Sequence, residues 1–63
     1  MTDLIVDHHH PMSATVLDAL REGRDQGEET PRMMARAARA VILARGELSI
    51  SDAYALVDQV WVR

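Results

Sequence analysis

The sequence predicts an all-α fold, a small three-helix domain over residues 12–63 carrying an extended N-terminal arm over residues 1–11. Two observations carry that expectation: three segments with apolar residues at helical spacing, and capping or helix-breaking residues at the ends of those segments. At 63 residues and 7.0 kDa the chain holds one domain at most.

The arm begins with Leu4-Ile5-Val6, a short β-prone run, followed by Asp7-His8-His9-His10-Pro11. Proline drives the preceding His10 toward extended geometry, so the segment reads as an arm or a short edge strand. An isolated strand of this length needs a symmetry mate or a partner sheet, and without one it frays.

Helix one is expected over residues 13–24, with the Ser13 hydroxyl as cap and Val16, Leu17 and Leu20 on one stripe opposite Asp18 and Glu22. Gly23 and Gly27 bracket a polar stretch that reads as a loop and hinge. Thr30-Pro31 is the clearest boundary, with Thr suited to the cap and Pro to the first helical position. Helix two then spans residues 31–45, with Met33, Met34, Ala37, Ala40, Val41 and Ala44 on a broad apolar arc and Gly46 as a left-handed stop. Helix three is expected over residues 51–62, with Ser49 or Ser51 as cap and Asp52 near the positive end of the dipole. Ala53, Tyr54, Leu56, Val57, Val60 and Trp61 fall within one half-circle, and Asp58 falls outside it.

Area bookkeeping leaves this chain near balance. Apolar burial contributes about 90 kcal/mol and ordering costs about 95 kcal/mol, so a second copy or a partner covering apolar surface would help.

Composition excludes several functions. With no cysteine there is no disulfide, no Cys-based zinc site and no thiol nucleophile. No apolar run reaches membrane-spanning length, and the N-terminus lacks signal-peptide features, so a soluble, cytoplasmic protein is expected. A formal charge of −3 argues against broad nucleic-acid affinity.

Four groups remain as candidates. In an extended chain His8 and His10 share one side, where Asp7 or Asp3 would complete a weak zinc or nickel site. Nothing in the sequence supplies tetrahedral closure or a supporting shell, so no metal and no cofactor is assigned. Arg32, Arg36 and Arg39 form a guanidinium row at helical spacing, able to track a phosphate backbone or to face solvent beside Glu28 and Glu29. The stretch Ala44-Arg45-Gly46-Glu47-Leu48-Ser49-Ile50-Ser51-Asp52-Ala53 resembles the lead-in to the positioning helix of resolvase-like and sigma-like helix-turn-helix DNA readers. That resemblance spans about ten residues and departs from the pattern afterwards, because no glycine turn and recognition helix follow and the polar face carries Asp52 and Asp58. Finally, Met33, Met34, Tyr54 and Trp61 supply interface-forming residue types, with Glu28, Glu29, Asp52 and Asp58 as charge complement.

The serines sit at expected caps, and no carboxylate is placed to orient the histidines, so the chain is not expected to be an enzyme. The expectation is a non-enzymatic binding module acting by stoichiometric protein–protein interaction, as a homodimer with a protein partner. Its size class is that of phage or mobile-element regulators and inhibitors such as anti-CRISPR proteins or antitoxins. The alternative is a dimeric DNA-binding transcriptional regulator using the arginine row.

Overall fold

A computed structural model describes residues 4–62 of the chain. The order of elements is β1 (Ile5–Val6), α1 (Ser13–Asp25), α2 (Thr30–Ala44), α3 (Ile50–Val60) and β2 (Trp61–Val62). The three-helix all-α expectation holds, with a two-stranded antiparallel ribbon added to it.

That ribbon is the main departure. Trp61 and Val62, expected as the last turn of helix three, pair in register with Val6 and Ile5 respectively. The Asp7 amide extends the pairing by donating to the Val60 carbonyl at 2.8 Å. The β-prone N-terminal run therefore finds its partner strand in its own chain. Val6 and Trp61 point inward and are buried, while Ile5 and Val62 form the exposed cross-strand pair.

Residues 7–12 form a hydrogen-bonded turn where an extended arm was expected. Asp7 accepts the His9 amide on its carboxylate at 3.0 Å and the His10 amide on its carbonyl at 3.1 Å. His10 then closes the start of α1: its Nδ1 accepts the Met12 amide at 3.0 Å, and its carbonyl accepts the Ser13 amide at 3.1 Å. Helix one is capped from behind in this way. Ser13 is its first residue, and no side chain caps it at the Met12 position.

The C-terminal end of α1 also lies elsewhere than expected. Gly23 lies inside the helix and is buried, and the chain turns three residues later. Gly27 adopts φ 74°, the one left-handed residue among those described. Its amide donates to the Arg24 carbonyl and the Glu28 amide donates to the Gly23 carbonyl, both at 3.0 Å. This pair of bonds is the Schellman closure, which needs a residue free of Cβ strain at the turn.

Helix α2 starts one residue early, with Glu29 at the cap and Pro31 second in the helix. It stops at Arg45 without the left-handed glycine expected at Gly46. Helix α3 is capped by Ser49, whose Oγ accepts the Asp52 amide at 3.1 Å.

The helices pack in the order α1–α2–α3, so the alanine-rich α2 lies between two neighbours. Its buried residues are Met33, Ala37, Ala38 and Val41; Ala44 of the expected arc is exposed. The most completely buried large side chains are Leu20, Val16, Val41, Val57 and Val60. No polar or charged residue among those described is buried, so the interior stands on apolar packing alone. The Cα radius of gyration, 10.6 Å, is that of a folded chain of this length.

Candidate functional site

Three surface features gather the chemistry. The first is a charged clasp at the α1–α2 turn. The Schellman closure carries Glu28 back over α1, and there its carboxylate meets Arg36 in a two-pronged pair, Nε to Oε1 at 2.9 Å and Nη2 to Oε2 at 2.7 Å. The remaining guanidinium nitrogen, Nη1, donates to Glu22 Oε1 at 3.0 Å. Gly23 makes room for this clasp. A Cβ there would lie 2.8 Å from Glu28 Oε1 and 3.0 Å from Met33 Cγ. The hydrogen bonds from Arg36 hold the Glu28 carboxyl below its ordinary pKa, and Glu28 in turn raises that of Arg36.

The clasp breaks the expected arginine row. Arg36 is bound to two carboxylates, which leaves Arg32 and Arg39, seven residues apart on an exposed helix face, as the accessible cations. Glu28, expected to offer its charge to a partner, spends it on Arg36, while Glu29 is exposed at the start of α2.

The second feature is a groove along α1 and α2. Thr15, Asp18, Ala19 and Glu22 line one side, and Arg36, Arg39, Ala40 and Leu43 the other. Both sets follow the three- and four-residue steps of a helix edge. The Glu22–Arg36 pair fixes the antiparallel register, which sets Asp18 and Ala19 level with Arg39 and Ala40, and Thr15 level with Leu43. Alanines form the floor. Leu43 is 79% exposed at the rim, the most exposed large apolar side chain of the described chain.

The third feature is the outer edge of α3. Ile50 is 59% exposed and Tyr54 is 37% exposed, one helical turn apart. Asp52 and Asp58 are both exposed on the same helix, which carries no cation.

The expected interface set is thus redistributed. Met33 and Trp61 are buried in the core, Met34 is half-buried against it, and Tyr54 alone of the four reaches solvent as an exposed residue. Ile5, Leu43, Ile50 and Val62 take the outward places. Leu43 had a visible signal, since it falls outside the arc from Met33 to Ala44. Ile50 sits just inside the Ser49 cap, where the spacing argument gave no face.

The histidines are not arranged as ligands. The turn at residues 7–12 removes the alternation that placed His8 beside His10, and His10 Nδ1 already accepts a backbone amide. Asp3 lies outside the described residues. Among the described residues no three His, Asp or Glu side chains cluster to hold a metal ion. Among the described residues no helix is long and apolar enough to cross a membrane.

Comparison with protein-family models, with curated proteins and with solved structures gives no match.

Proposed function

We propose that this chain is a non-enzymatic protein-recognition module that works by stoichiometric occupation of a partner's surface through the outer edge of α3. The observation that carries the reading is one exposed edge of α3 on which Ile50, Tyr54 and Asp58 follow one another at four-residue steps, on a helix devoid of positive charge. A helix of this kind fits a partner surface with an apolar pocket for the tyrosine and an arginine- or lysine-rich rim. Recognition is favoured over catalysis by the position of the polar groups. Those described are all outside the core, without the desolvated setting that tunes an acid, base or nucleophile. A cytoplasmic working place belongs to the same proposal, supported by an interior that needs no disulfide.

Photo-crosslinking in the native host tests it. A benzophenone amino acid at position 54 is expected to yield one discrete protein adduct. The same group at exposed position 14 on α1 is expected to yield none, and Asp58→Lys, four residues on from Tyr54, should sharply reduce the adduct at 54. Equal adducts from both positions, or retention on duplex DNA that falls steeply with salt, would overturn the reading.

A further inference from the structure

We infer that the α1–α2 groove is a self-association surface whose occupant is the same groove of a second copy of this chain. The inference uses a different face from α3 and stands independently of what α3 binds.

One wall of the groove carries Asp18 and the other Arg39, level with one another, while Glu22 and Arg36 of the same walls are already paired with each other. A two-fold axis running along the groove lays α1 of each copy against α2 of the other, at unchanged height. Asp18 of each copy then faces Arg39 of the other, so the pair forms twice over and the surface is its own electrostatic complement, as an isologous contact requires. Because α1 and α2 are antiparallel, the result is an up-down-up-down four-helix arrangement.

Two further observations fit this occupant. Asp18 and Arg39 line the same groove, yet neither forms an ion pair with any described residue. In the two-fold arrangement each meets the other's counterpart across the axis. Leu43 stands on the rim beside Ala40, above a floor of small side chains. The same axis brings the two Leu43 side chains together and covers both, while the alanine floors let the helices approach closely.

The size of the surface sets the expected strength. Two helices of 13 and 15 residues offer a footprint roughly 20 Å on a side, which is below that of standard tight complexes. A dimer with Kd of about 10–100 μM is expected.

Sedimentation equilibrium of the purified chain, from about 1 μM to about 500 μM, reads this directly. The apparent mass should rise from the 7.0 kDa of one chain toward twice that value. Leu43→Asp should raise the dimer Kd by more than about tenfold while leaving the circular dichroism spectrum unchanged, since Leu43 contributes little to the core. Asp18→Arg and Arg39→Asp should each weaken the dimer, and the two combined should restore it by regenerating the cross-axis pair with reversed polarity. A single-copy mass over the whole range overturns the proposal. So does a dimer that survives Leu43→Asp and dissociates with Tyr54→Ala, because that assembly would use α3.

Discussion

Two closures hold this chain together, and they use opposite physics. The α1–α2 turn is closed by charge, with Arg36 gripping Glu28 and Glu22 over the space left by Gly23. The ribbon is closed by oil, with Val6 and Trp61 set side by side into the core by two short strands. The clasp remains in reach of water, its Arg36 side chain 31% exposed and its Glu28 side chain 17% exposed. The ribbon's inward pair is at most 8% exposed. Solvent screening therefore discounts the first closure and not the second, and a small domain can afford to lose only the first.

The largest effect is expected from Trp61→Ala. Truncating a buried aromatic costs about 3–5 kcal/mol, which is comparable with the whole stability of a domain this size. Thermal denaturation followed by circular dichroism should show no cooperative transition, or one displaced far downward. A melting temperature close to that of the original chain would mean that the ribbon carries little.

Gly27→Ala comes next. Gly27 holds φ 74°, where a Cβ meets backbone strain worth about 1–2 kcal/mol, although no neighbour stands in its way. The expected loss is therefore conformational and uniform across pH. It should appear in a denaturant titration as a lower midpoint with the same slope.

These two sites also mark what the residues alone reveal. Pro31 and Ser49 announce their helices because helix-start chemistry is local, and the structure agrees to within a residue or two, although Glu29 and not Thr30 stands at the cap of α2. The apolar stripe of α3 is legible for the same reason. Its end is not, because Trp61 continues the helical stripe and only a partner strand more than fifty residues away turns it into a β-residue. Gly23 misleads in a different way. A glycine in a polar stretch reads as a loop, whereas here it is a helical residue kept small by a carboxylate that must pass over it. The arginine row is correct as a spacing and incomplete as a surface, since Glu22 and Glu28 come from elements whose approach no spacing rule specifies.

Acid acts on the charged closure and spares the apolar one. Hydrogen bonding to Arg36 lowers the folded-state pKa of Glu28, so the clasp's contribution is present above the ordinary carboxyl range and disappears as pH falls through the depressed value. Arg36→Met keeps most of the aliphatic stem and removes the charge. Its stability should fall short of the original chain's near neutral pH, and the gap should close as pH drops from about 5 to about 3. The gap between a milder ribbon variant, Val6→Ala, and the original chain should show no such closure. A constant Arg36→Met deficit across that range would mean that packing of the stem, and not the ion pair, is what the residue supplies.

The smallest effect is expected at the outer face of the ribbon, where Ile5 opposes Val62 and both are more than half exposed. Ile5→Thr retains the β-branch and the strand preference while reducing the apolar contact across the pair. Cross-strand pairs of this kind are worth about 0.2–1 kcal/mol, so the melting temperature should move by about 1–8 °C. The inward neighbour provides the internal control: Val6→Thr places a hydroxyl in the core next to Trp61 and should cost more, through desolvation of a polar group. Equal losses at positions 5 and 6 would show that the ribbon is stabilised by its backbone pairing. A loss confined to position 6 would show that the strands serve chiefly to deliver Val6 and Trp61 to the helices.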